Sequence, residues 1–410
     1  MPEAPAWKFK EVKRVPDRRP RPEKLVFRGR VFTGAPGGLI EDGFVRVERG
    51  RISGVGGAAD LGSGGEGGEV VEAAGGTILP GLFNNHAHLA WDGVNDLATQ
   101  SLEDAPEISA YKAAANMLRS LSAGVTSVRD LGMNKSGLFA KQAVAQGVFR
   151  GPKLRVCGEA IVQTGGHTYW CCREASGPDE MRRAVREQVR AGADLIKIMA
   201  CHDTLEFTDE ELHAVIDETH RNGLTITAHA TYDACIRRVL EFGIDMVEHG
   251  GSASDETIQL LLDKQAYICT TFSPLVLQAS EGEKWGIPAW KVEERKRAVA
   301  DTSRFDGVVR AAKAGVPIVF GTDAGSPAVP HDAIAAELKF MVEIGVCADN
   351  ERALVSITSL SAEMNGVADD RGTLAEGLAG DVLVVDGDPL ADLGAIDDVR
   401  AVYLDGARVA

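Results

Sequence analysis

Eight short apolar runs recur between residues 78 and 365, with stretches of helical patterning between them. The runs cover 78–83, 125–130, 153–161, 194–200, 225–230, 246–250, 266–273 and 317–323. Strands that alternate with helices lie parallel, because each helix carries the chain back to the edge where the next strand starts. Eight repeats are enough to close a ring, so a (β/α)8 barrel is the predicted architecture. A doubly wound open sheet is the alternative. Local signals support the helices. Thr208 is a good N-cap ahead of Asp209-Glu210-Glu211, and Gly223 is a stop. The stretches 178–192 and 332–344 also read as helices.

Both ends of the chain read as strands instead. Residues 25–32 and 44–48 are β-prone, and Arg49-Gly50 before Arg51-Ile52-Ser53 is a hairpin signature. Residues 54–69 hold eight glycines without periodicity and read as a surface loop. Residues 381–386 and 401–404 are strands joined by Gly- and Pro-containing turns. The expected division is an N-terminal arm (1–24), a small β-sandwich from 25–77 and 366–410, and a catalytic barrel over 78–365. The arm carries eight basic residues between Lys8 and Lys24 and reads as a solvated segment.

Composition excludes several classes. With 44 Lys+Arg against 60 Asp+Glu the net charge is −16, which disfavours nucleic acid as a partner. No apolar run of about 18 residues is present, so no membrane span is expected. Seven cysteines without a CxxC pair point to reduced thiols and a cytoplasmic protein. The expected partners are a small-molecule substrate and further copies of the chain, as a homo-oligomer.

A barrel places its chemistry at the C-terminal ends of its strands. His86-Ala87-His88 follows the first run. Residues two apart in an extended segment point the same way, so both imidazoles can reach one metal ion. Lys197 lies in the middle of the fourth run, Leu195-Ile196-Lys197-Ile198-Met199. Burial lowers a lysine pKa, and a neutral amine can react with CO2 to give an anionic, two-oxygen carbamate. His229 ends the fifth run, His249 the sixth and Asp323 the eighth. Six metal-competent groups at strand ends are not a chance arrangement.

These residues carry a resemblance to the amidohydrolase superfamily over about residues 25–408. Leu79-Pro80-Gly81-Leu82 precedes His86 and His88, and Lys197, His229, His249 and Asp323 follow in order. The runs from Gly124 to Asp130 and from Gly380 to Val384 also match the family's phrasing. Thr164-Gly165-Gly166-His167 and Val247-Glu248-His249-Gly250 resemble its imidazolonepropionase-like branch, which includes dipeptidases and amidases acting on N-acyl amino acids.

The resemblance implies a distorted (β/α)8 TIM barrel with a β-sandwich from both termini. It implies two divalent metals, usually Zn2+. His86, His88 and Asp323 would hold one and His229 and His249 the other, with carboxylated Lys197 and a hydroxide between them. Asp323 would act as general base and then acid. The family's usual Asp two residues before the first metal histidine is Asn84 here, and a tyrosine frequent in the branch's dipeptidases is replaced by Thr231, beside Tyr232. Candidate substrate contacts after strand ends are His167, Tyr169, His202, Tyr232 and His331.

Hydrolysis of an N-acyl amino acid or dipeptide is the first reading. Hydrolysis of a carbamate, phenylurea or cyclic amide is the second. A non-catalytic barrel is disfavoured because all six ligands are present. Imidazolonepropionase itself is disfavoured because it uses no bridging lysine.

Overall fold

The computed structural model describes residues 22–62 and 67–410. The expected N-terminal arm lies outside this range up to residue 21, and Lys24 already opens strand β1 (Lys24–Phe32). β1 pairs antiparallel with β2 (Leu39–Glu48), which turns into β3 (Arg51–Gly57). Arg49 and Gly50 make that turn with φ of 52° and 83°. A two-residue turn with both φ positive matches the twist of a hairpin. β3 extends to Gly57, so the glycine-rich segment is strand at its start rather than loop throughout. It is the last strand of the sheet, bridged beyond β2 at its start by Arg51 with Ala379.

β4 (Glu69–Pro80) runs parallel to β1 and past the expected domain boundary at 77/78. The chain enters the barrel one residue later, with β5 (Leu82–Ala87). Gly81 makes the junction: a Cβ there would lie 2.1 Å from Thr126 Oγ1. The first apolar run therefore belongs to two sheets.

The barrel continues with β6 (Val125–Asp130), β7 (Lys153–Val156), β8 (Ile161–Gln163), β9 (Arg173–Ala175) and β10 (Leu195–Met199). β11 (Thr225–Ala230), β12 (Met246–His249), β13 (Tyr267–Thr270) and β14 (Ile318–Phe320) follow. Pairing is parallel throughout. A parallel bridge between Ala87 and Ala324 joins β5 to the chain just after β14, reinforced by His88 N donating to Ala324 O at 2.8 Å. On the other side Asp194 N donates to Val156 O at 2.8 Å. The third run breaks into β7 and β8 around Gly158, whose φ is 74°, and this irregular seam distorts the ring.

Helices cover the outside, so the central strands are buried on both faces. The helix Asp209–Arg221 starts in a full capping box: Thr208 Oγ1 accepts from Glu211 N, and the Glu211 carboxylate accepts from Thr208 N. The expected helix at 332–344 begins only at Ala335, because Asp397 reaches across to accept from Ala335 N at 3.1 Å.

β15 (Val382–Asp386), β16 (Val399–Leu404) and β17 (Ala407–Arg408) return to the terminal sheet, giving the order β17-β16-β15-β4-β1-β2-β3. Strand alternation serves two cores at once. Val382 and Val384 pack with Val31 and Ile78 in the sandwich, while Leu383 and Val385 pack with Phe32 and Leu79 against the barrel. Phe27 meets Tyr403 edge-to-face at 4.8 Å although β15 and β4 lie between their strands, so the sheet curls over its own core.

Candidate active site

The C-terminal ends of the barrel strands bring six side chains to one cavity: His86, His88, Lys197, His229, His249 and Asp323. His86 is the fifth residue of β5 and His88 lies just beyond it. Asp323 follows β14, and its Oδ1 lies 3.5 Å from His86 Nε2 and 3.1 Å from His88 Nε2. The His249 ring is 4.8 Å from that of His86 and 4.5 Å from that of His229. His249 and Asp323 hold φ of 72° and 56°. Non-glycine residues in this left-handed region cost roughly 1–3 kcal/mol each and persist where surrounding structure holds them, often at functional sites.

The far nitrogen of each ring explains how the near one is aimed. His86 Nδ1 is 2.8 Å from Glu248 Oε2, and His88 Nδ1 is 2.6 Å from Gly132 O. Both partners accept, so both Nδ1 atoms donate and each Nε2 is turned toward Asp323. His249 Nδ1 is 2.6 Å from Thr271 Oγ1. Glu248 is held in turn by Arg129 Nη2 at 2.8 Å and by Thr227 Oγ1. Arg129, Glu248 and His86 are all buried, and the charge of Arg129 offsets burial to hold the Glu248 carboxyl well below its usual range. Asn84 donates from Nδ2 to Thr322 Oγ1 at 2.7 Å, and its Oδ1 accepts from Thr322 N at 3.2 Å. It ties β5 to the segment that carries Asp323.

Electrostatics put the cluster in a ligand-ready state. Burial holds His229 and His249 well below the ordinary histidine pKa, with neighbouring cationic groups adding to it, so both rings are neutral. Burial also lowers His86. His88 is raised, because Asp323 outweighs its burial. Asp323 lies well below the carboxylate range: burial opposes this, but His86 and His88 win. Lys197, only 2 % exposed in the middle of β10, is lowered by burial against the pull of Glu248 and Asp323. It has no hydrogen-bond or ion-pair partner among the described residues.

Two chambers meet at these groups. The first is walled mainly by apolar side chains, with the Trp91 and Trp170 rings tilted at 36° and 5.8 Å apart beside Leu97 and Met133. The second opens over Phe272, Leu275 and Phe305 and includes Arg295 and Arg304. His229, His249 and Asp323 line both.

A model of the Amidohydrolase family matches residues 77–409. The chain belongs to the amidohydrolase family. It is 30 % identical over 362 residues to an ochratoxinase of Aspergillus niger, covering 79 % of this chain and 73 % of that one. The crystal structure of that ochratoxinase superposes with a TM-score of 0.81 at 26 % identity, over 95 % of this chain and 96 % of the other. A prolidase complexed with N-methylphosphonate-L-proline gives a TM-score of 0.82 at 27 % identity, over 94 % and 99 %.

Of the five expected substrate contacts, this amidohydrolase brings one to a chamber wall. His167 lines the first chamber, with its ring 4.6 Å from His229 and 4.5 Å from His202. His202 stands behind it, half exposed beside Asp203. Tyr169 is 52 % exposed. Tyr232 precedes the helix Asp233–Phe242 and packs on the barrel core. His331 is buried, with Nε2 on Trp91 O at 3.0 Å, so it supports the wall rather than forming it. Those four residues line neither chamber. The sequence reading also passed over Glu248 and Trp91. Glu248 is a charged residue in an apolar run, the same signal that singled out Lys197. No helix among the described residues is long and apolar enough to cross a membrane.

Proposed function

We propose that this amidohydrolase is a binuclear metal-dependent hydrolase of C–N amide bonds, acting on an N-acyl amino acid or a dipeptide. The observation that carries this reading is the buried, partnerless Lys197 amine in one cavity with four histidines and Asp323. The donor set fits two divalent cations, zinc in this reading. The imidazoles are neutral or oriented by their Nδ1 bonds, and Asp323 is ionised. His86, His88 and Asp323 would hold one cation, and His229 and His249 the other. Lys197 would complete both sites after its amine adds to CO2 and loses a proton.

Such cations polarise a carbonyl and make water a nucleophile near neutral pH. The chain supplies the rest. Asp323 is poised to accept a proton at Oδ1 and return it to the leaving nitrogen. Glu248 and Gly132 keep His86 and His88 in register. Trp91 and Trp170 exclude water and take an apolar acyl group. His167 offers a hydrogen bond to the substrate from the chamber wall. Seven free cysteines accord with a cytoplasmic setting, which is part of the proposal.

The family name and the ochratoxinase and prolidase relatives support amide chemistry. Thr231, in place of a tyrosine frequent in dipeptidases of the branch, favours a second reading in which the substrate is a neutral carbamate, urea or cyclic amide. A turnover screen of the metal-loaded enzyme decides between them. Release of amine from N-acyl amino acids or dipeptides, lost in Lys197→Ala, is expected. Turnover confined to aryl carbamates or phenylureas would replace the first reading with the second.

A further inference from the structure

The second chamber has an unusual charge. The chain as a whole carries −16, yet apart from Asp323 and the site histidines the charged side chains on this wall are Arg295 and Arg304. Arg295 is positioned rather than loose. Its Nε donates to Gln278 Oε1 at 3.0 Å, and buried Gln278 is itself anchored by Nε2 on Pro327 O at 3.1 Å. Its Nη1 makes a loose surface pair with exposed Glu294 at 3.8 Å, which leaves Nη2 for a ligand. The Arg304 guanidinium lies over the Phe305 ring at 5.7 Å, and Phe305 forms part of the same wall. Guanidinium groups present paired donors that match a carboxylate.

The two chambers share only His229, His249 and Asp323. A substrate whose scissile bond sits there has one end among Trp91, Trp170 and Met133 and the other facing the arginines. We infer that Arg295 and Arg304 form a carboxylate-recognition pair, so that the substrate is an apolar or aromatic acyl group joined to an amino acid with a free carboxylate. The inference rests on the amide-hydrolase reading and adds the orientation of the substrate and the residues that select it. It also supplies an anion-binding group where Thr231 provides none.

The test compares N-benzoyl-L-phenylalanine with its neutral carboxamide, using metal-loaded wild type, Arg295→Met, Arg304→Met and the double variant. Both arginines are at least partly solvent-exposed, and an unchanged thermal unfolding midpoint serves as the folding control. Wild type is expected to prefer the acid. Each single variant should lower kcat/KM for the acid by about ten- to a hundredfold, mostly through KM, as for loss of a hydrogen bond to a charged group. Carboxamide turnover should fall less than about tenfold, since a neutral acceptor loses less than a charged one. Equal turnover of acid and carboxamide by wild type, or an acid preference that survives in the double variant, overturns the pair while leaving amide hydrolysis intact. If wild type hydrolyses neither compound, the amide reading fails, and calorimetric titration with the acid then decides the pair. Acid-selective binding that vanishes in the double variant upholds it, and its absence removes it.

Discussion

Glu248 is fully buried between Arg129 and His86, and its charge is what lets both neighbours be there. Glu248→Gln leaves the Arg129 guanidinium without its counter-charge, at an expected cost of about 3–5 kcal/mol in unfolding free energy. It also releases the aim of His86, and metal affinity should fall about 10- to 100-fold in a chelator competition. Unchanged metal affinity would reduce Glu248 to a purely structural role. Asp323→Asn should lower kcat far more than it raises KM, since proton transfer belongs to the transition state alone. A variant with near-normal kcat would remove Asp323 from proton transfer. At this scale the gathering of His86, His88, Lys197, His229, His249 and Asp323 in one cavity was legible, because a lysine and four histidines at the ends of apolar runs have no comfortable structural explanation. Tyr169, Tyr232, His202 and His331 line neither chamber, since loop side chains follow no period that places them, and the same freedom hid Trp91.

The elements were legible wherever periodicity was long. Each of the eight apolar runs contributes to the barrel, the third giving both β7 and β8 while β9 falls outside them, and the Thr208 N-cap with its acidic first turn was visible in four residues. What escaped was set by partners rather than by local pattern: β3 runs on to Gly57 along β2 despite its glycines, and the helix at Ala335 takes its N-terminal acceptor from distant Asp397. A similar long-range cap yields a pH prediction. Buried Glu337 accepts from Phe272 N at 2.9 Å and Ser273 N at 2.6 Å, capping the helix Ser273–Glu281 beside the second chamber. Burial outweighs those bonds and pushes its pKa from 4.5 up to about 7. The folded chain therefore keeps a proton that the unfolded chain releases between these values. Glu337 thus contributes stability that is whole below pH 4.5 and declines as pH rises to about 7, by roughly 3 kcal/mol. Urea unfolding of wild type and Glu337→Gln at pH 4.5 and 7.5 should show the decline in wild type alone. Parallel behaviour of the two proteins would contradict it.

For the whole molecule, the two chain ends close one sheet, and alternate residues of β15 pack into the sandwich and the barrel. That arrangement was readable from two strand-rich ends around a different middle, although the junction at Gly81 was not, because one continuous apolar run serves both sheets. The barrel in turn holds the six side chains that a binuclear site needs, and the family relation makes hydrolysis the chemistry. The central claim is that two cations share carboxylated Lys197. Elemental analysis of the purified protein after metal loading and desalting tests it most directly. Two divalent ions per chain are expected, falling in Lys197→Ala, with partial recovery when a short carboxylic acid is supplied; a stable wild-type value of one per chain would contradict the shared site.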